Sequence, residues 1–156
     1  MGKPTETSVE PVPVIVVGAD TPIGEAIIDA LLQPGREVRA FVSDETAAAG
    51  LRQRGVKVAL GDVSDDSHVE AASTRCFSAV LIAEAAADGR ERSFAATARE
   101  VEEGWARAIT ASRVRRAIWV SSRPPPADGA AERALVDPRD PNLVSRVVAL
   151  DEAQTL

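Results

Sequence analysis

Val12-Pro13-Val14-Ile15-Val16-Val17-Gly18-Ala19-Asp20-Thr21-Pro22-Ile23-Gly24 is the stretch that decides the fold. Val12–Val17 is continuously apolar and far too short to span a membrane, which takes about 20 residues. It has the length and β-branched content of a buried strand. Gly18 ends it with a residue that tolerates a tight turn. Thr21 is a helix N-cap candidate, and Pro22 suits the first helical position, where no N–H is needed. A helix over Pro22–Leu32 then puts Ile23, Ile27, Ala30 and Leu31 on one face, and Gln33-Pro34-Gly35 stops it.

Outward from that unit the pattern repeats. Strands are predicted at Glu37–Val42, Val56–Leu60, Ser78–Ala83 and Ala117–Val120. Helices are predicted at Asp44–Arg54 (closed by Gly55), Ser64–Ser73 (capped by Ser64), Ser93–Ser112 and Asn142–Leu156. In Ser93–Ser112 the apolar stripe is Phe94, Ala98, Val101, Trp105 and Ile109. Arg123–Pro141, rich in Pro, Ala and charge, reads as a loop. Met1–Pro11 is polar and Pro-containing and reads as a disordered tail ahead of a single domain over residues 12–156. Apolar strands alternating with helices specify an α/β fold, a doubly wound parallel sheet of about five strands. Right-handed crossovers give the order 3-2-1-4-5.

Composition removes much familiar chemistry. The 156 residues carry a net charge of −6, which disfavours binding to nucleic-acid phosphates. One His (His68) and one Cys (Cys76) cannot form a disulfide within the chain or build a His/Cys metal site. The chain has no Tyr, and its lysines are Lys3 and Lys57. No secretory signal is visible, so a cytoplasmic location, with no membrane partner, is the expectation.

The Gly18–Gly24 turn, placed between a strand and a helix, resembles the opening of the short-chain dehydrogenase/reductase superfamily. The likeness is to its atypical branch, which includes NmrA-like regulators and usually reads Gly-Ala-Thr-Gly-x-x-Gly here. Gly61-Asp62-Val63 is similar to that family's Gly-Asp-Leu/Val signature after the third strand. Ala117-Ile118-Trp119-Val120-Ser121-Ser122 is similar to its fifth strand. The resemblance implies a Rossmann-like fold binding NAD(P) through Gly18, Asp20, Thr21, Pro22, Ile23, Gly24, Ser43, Asp44, Asp62, Val63, Ala83 and Glu84, with Asp62 facing the adenine. It implies a truncation as well, ahead of the sixth and seventh strands that usually shape the substrate pocket.

Several positions depart from the family. Thr21 replaces the middle glycine, and its Cβ and hydroxyl are expected to crowd a pyrophosphate. Asp20 brings a carboxylate to the helix N-terminus. At about 4 Å and an effective dielectric of 20 it repels a phosphate charge by roughly 4 kcal/mol. Glu84 adds a second negative charge, and NAD(P) binding is expected to be weakened by all three. Val144 and Val148 stand where the resemblance puts the catalytic Tyr and Lys; Ser122 matches the catalytic Ser. Ser122 alone supplies no general acid–base catalysis.

Three functions follow as expectations. The first is a degenerate, non-redox module or subunit binding a small molecule or nucleotide. The second is an unconventional isomerase, cyclase or lyase with Asp20, Glu84 and Ser122 as catalytic groups in the former cofactor cleft, joined by Arg123. The third is a weak NAD(P)-dependent oxidoreductase. Leu143, Val147 and Leu150 are expected to form an exposed stripe on the last helix. That stripe predicts a homodimer, or pairing with a longer relative through the last two helices. His68 is expected to be exposed, Cys76 to be a small buried residue, Trp105 and Trp119 to sit in the core, and Arg113, Arg115 and Arg116 to be solvated.

Overall fold

The computed structural model describes residues 12–156, so the predicted tail lies outside the described residues. The elements in order are β1 (Val14–Val17), α1 (Pro22–Leu31), β2 (Val38–Val42), α2 (Glu45–Gln53), β3 (Lys57–Leu60) and α3 (Asp66–Ala72). There follow β4 (Ser78–Ile82), α4 (Glu84–Ala87), α5 (Ala98–Ala111), β5 (Arg116–Val120), β6 (Glu132–Val136) and α6 (Leu143–Glu152). All described strand pairs are parallel, and the sheet order is β3-β2-β1-β4-β5-β6.

The alternation of side chains along each strand sorts the core into two layers. Val14 and Val16, with Val80, Ile82, Ile118 and Val120, face α1, α2 and α6. Ile15 and Val17, with Leu81, Ala117 and Trp119, face the layer holding α3 and α5. Every residue of β1 is fully buried, which is why this strand reads as continuously apolar. Trp105 and Trp119 are core residues, as is Cys76. The Trp105 indole donates to the Val63 carbonyl at 2.8 Å and ties α5 to the loop after β3.

Six strands replace the expected five. The sixth, Glu132–Val136, lies inside the segment read as a loop, so the sheet does not stop where the resemblance implied. This strand is an edge, with Arg133 and Leu135 exposed and only Val136 fully buried. An edge strand carries charge and shows weak hydrophobic patterning. Arg116 is also not solvated: it is 0% exposed. It pairs with Glu132, its in-register neighbour on β6, at 2.7 Å. It also donates to the carbonyls of Leu150, Asp151 and Ala153 at 2.7, 3.1 and 2.7 Å. These end-of-helix carbonyls have no partner within α6, and a cation there also meets the negative end of the helix dipole.

Other boundaries shift for local reasons. α5 begins at Ala98 because Thr97 and Glu100 form a reciprocal capping box, leaving Phe94 outside the helix and 69% exposed. Asp65, not Ser64, caps α3. Leu143 and Val147 turn inward onto the core beside α1. The exposed stripe expected on the last helix is therefore buried at two of its three positions. His68 is half-buried, its ring edge-to-face with Phe41 at 5.1 Å between centroids.

Candidate functional site

The β1–α1 turn sits where β1 separates strands leading one way from strands leading the other. Such a switch point opens a crevice at the carboxyl ends of the strands. Gly18 has φ +92°, and a Cβ there would come within 2.7 Å of the Ala85 Cβ. A Cβ on Gly24 would strike the Gly18 carbonyl and lie 2.7 Å from the Ala19 Cα. Gly18 is thus required by its packing against β4 and α4, and Gly24 by the packing of α1 on the turn.

Thr21 does not crowd the crevice. It is 1% exposed; its hydroxyl donates to the Gly18 carbonyl at 2.7 Å and accepts from the Gly24 N–H at 2.9 Å. Pro22 has no N–H, and the Glu25 N–H bonds back to the Thr21 carbonyl. Ile23 keeps its N–H at the positive end of α1, where it suits a pyrophosphate oxygen.

Asp20 also differs from expectation. Its carboxylate lies against the opening of the β2–α2 loop, accepting from the Ser43 N–H at 2.9 Å and the Asp44 N–H at 3.2 Å. Arg90 donates to its other oxygen at 2.8 Å and grips Asp88 through two further bonds of 2.8 Å. The Asp20 side chain is 5% exposed and that of Arg90 12%. The charge feared at the helix N-terminus is displaced toward β2 and paired with a cation. Burial alone opposes the charge on Arg90, but its bonds to Asp88 and Asp20 outweigh that and keep it charged.

These groups line a cleft of about 620 Å³ that also includes Gly61, Asp62 and Glu91. Asp44 caps α2 by accepting from the Ala47 N–H at 2.8 Å. Burial opposes ionisation of Asp62, yet bonds from Ser64 and Ser93 outweigh it and hold the carboxyl below its usual range. The bond from the Ser93 N–H ties the segment after α4 to the end of β3. Val63 is fully buried in the core, so only its backbone could meet a ligand.

A second cavity, of about 310 Å³, lies on the other side of the turn. Ile23, Ile82, Ala83, Val120 and Pro138 form its apolar wall, and Glu84, Glu102, Ser122 and Arg123 its polar rim. Glu84, Ser122 and Arg123 share this cavity, whereas Asp20 lines the first cleft. Glu102 and Arg90 were not singled out by sequence. Glu102 had a signal: Ala98, Val101, Glu102 and Trp105 share one helical face, so a carboxylate sits on the buried stripe. Arg90 had none, because its tie to Asp20 joins residues 70 positions apart in a stretch without periodicity.

Among the described residues no helix is long and apolar enough to cross a membrane, and no group of His, Cys, Asp or Glu is arranged to hold a metal ion.

The sequence model of a family described as NAD(P)H-binding matches residues 18–142. Among solved structures, the chain is similar to the triphenylmethane reductase of Citrobacter sp., with 19% identity and a TM-score of 0.58, covering 70% of this chain and 37% of that one. It is similar to the NADPH-dependent quinone oxidoreductase QOR2 of Escherichia coli, at 19% identity and a TM-score of 0.58, covering 69% and 36%. It is also similar to ChuY, an anaerobillin reductase from Escherichia coli O157:H7, at 29% identity and a TM-score of 0.50, covering 71% and 51%. The matches span about a third to a half of the length of those proteins. No curated protein sequence matches the chain.

Proposed function

The chain belongs to the NAD(P)H-binding family of Rossmann-like proteins, and from that premise we propose that it is a nucleotide-binding module of non-redox type that takes NAD(H) in preference to NADP(H). The observation that carries this is the Asp20 carboxylate on the Ser43 and Asp44 N–H groups. Those donors open the loop after β2, where the fold receives the adenosine ribose. A 2′-phosphate would find them occupied. It would also meet Asp44, Asp62, Asp88 and Glu91 around the same cleft, with Arg90 already shared by two carboxylates. A carboxylate about 6 Å from a phosphate charge costs roughly 3 kcal/mol at an effective dielectric of 20, before salt screening. A ribose hydroxyl bears no charge and can donate to Asp44.

The residues fit the rest of a dinucleotide. The Ile23 N–H would meet the pyrophosphate and Asp62 would border the adenine, with the second cavity at the far end of the turn. Bound NADH is a hydride donor. Proton transfer by a Tyr-Lys pair has no source among these 156 residues, which contain no Tyr. That absence supports the non-redox reading over the weak-oxidoreductase one.

Calorimetric titration tests the proposal. NADH is expected to bind at least tenfold more tightly than NADPH. Equal or tighter binding of NADPH overturns the preference, and no heat with either dinucleotide removes the nucleotide reading altogether.

A further inference from the structure

We propose that the outer edge of β6 is a self-association surface, on which two copies of this chain pair their β6 strands antiparallel about a two-fold axis at Leu135. The inference rests on the strand itself and goes beyond any nucleotide reading. β6 is the last strand in the sheet order and runs parallel to β5, from Glu132 against Arg116 to Val136 against Val120. The Glu132 N–H donates to the Arg115 carbonyl at 3.0 Å, and the Ser121 N–H donates to the Val136 carbonyl at 3.1 Å. The backbone groups of successive strand residues turn to opposite sides. Glu132, Ala134 and Val136 therefore face β5 with their N–H and C=O groups, and Arg133 and Leu135 face outward with theirs. Among the described residues nothing bonds to those outward groups. Such a row is a template for another strand. α6 packs against α1 and β5 as well as β6, so its body lies over the sheet, inward of this edge.

The side chains select the occupant. Arg133 and Leu135 lie on the sheet face of Ala117 and Trp119, their register partners. Leu135 is 46% exposed, unusual for a large apolar residue within a strand. An antiparallel two-fold pairing of this edge centres on Arg133, Ala134 or Leu135. Centred on Arg133, it sets two guanidinium groups against each other. Centred on Ala134, it sets each Arg133 against the partner's Leu135. Centred on Leu135, it packs Leu135 on the partner's Leu135 and sets Arg133 opposite the partner's Asp137, once on each side of the axis. Directly opposed apolar pairs and opposite charges stabilise a sheet, and like charges destabilise it. The last register is thus self-complementary, as an isologous interface must be. Both charges reach the surface and are held in place. Arg133 bonds Asp128 at 2.9 Å and the Pro126 carbonyl at 2.8 Å, and Asp137 bonds Arg139 at 2.9 Å. The Asp140 N–H turns the chain onto the Asp137 carbonyl, and Pro138 has no N–H, so the pairing ends there. A contact this short buries less than the roughly 800 Å² per partner of a stable complex, which makes the dimer weak.

Sedimentation velocity and ¹⁵N amide spectra, each from about 10 µM to about 1 mM chain, test the pairing. A monomer–dimer equilibrium is expected within that range. The concentration-dependent shifts should centre on Arg133–Asp137, with slowed exchange of the Arg133 and Leu135 N–H groups. Leu135→Lys, its amide spectrum reporting that the fold is kept, should weaken association by about tenfold or more, as lysine does on an edge. Asp137→Lys sets like charges together twice and should weaken association by about fivefold or more. That loss should shrink in about 1 M salt, which screens the repulsion. A monomer at every concentration overturns the proposal. So does a dimer whose shifts map away from β6, or unchanged association of Leu135→Lys or of Asp137→Lys.

Discussion

At the scale of single residues, orientation decides what identity leaves open. A threonine in place of a glycine predicts an obstruction, yet the Thr21 side chain is turned under the turn and bonds at both ends. Thr21→Ala is expected to cost about 1 kcal/mol, the usual value of an N-cap. In a domain of this size that lowers Tm by about 2–4 °C. Because the side chain faces inward, NADH affinity should change by less than about twofold. Thermal unfolding and calorimetry on one variant check both, and a large gain in affinity would restore the obstruction argument. Asp20 follows the same logic. Its negative charge is legible in the sequence, but its position over Ser43 and Asp44 depends on Arg90, which nothing local marks. The tight turn at Gly18 and the start of α2 were legible because turn and cap geometry are local. The pairing of Asp20 with Arg90, and the split of Asp20 from Glu84, Ser122 and Arg123, rest on long-range packing and were not.

At the scale of elements, patterning finds strands with an apolar run, the half-solvated β3 included, and misses β6, whose run is broken by charge. β1, β2, β4 and β5 are read correctly because their residues are almost entirely buried. β6 alternates half-buried and exposed residues between Pro-rich flanks, and its charges disguise it. Arg116 is the physical reason this strand and α6 stay attached. It bonds Glu132 on one side and the final carbonyls of α6 on the other. Breaking a buried pair by removing one partner costs about 3–5 kcal/mol. Arg116→Ala is therefore expected to lower stability by that amount in urea unfolding, with hydrogen exchange at Val147 and Val148 accelerating first. Glu132→Gln should cost less, since Arg116 keeps its carbonyl acceptors. A loss below about 1 kcal/mol for Arg116→Ala would show that the clamp contributes nothing to holding the edge. The homo-oligomer expectation loses two of the three residues it rested on, because the same packing turns Leu143 and Val147 inward.

At the scale of the whole molecule, the two sides of the crevice respond to pH in opposite directions. Hydrogen bonds hold Asp62 and Asp88 below the usual carboxylate range against the effect of burial. A carboxyl depressed in the folded state contributes stability that is present above its unfolded value and lost as pH falls through its folded one. Glu102 is raised by burial, so its contribution is complete below the ordinary glutamate value and lost as pH rises through its folded one. The first cleft is thus weakened as pH falls and the second as pH rises. Urea midpoints between pH 4 and pH 7 separate them. The difference in stability between Glu102→Gln and the parent should move in favour of the variant as pH rises across that interval, because the variant has no carboxyl to ionise. Asp62→Asn should show its trend below that interval, its deficit shrinking as pH falls under the ordinary aspartate value and the parent's carboxylate is protonated. A constant gap for Glu102→Gln across the interval would mean that Glu102 ionises as readily in the folded chain as in the unfolded one.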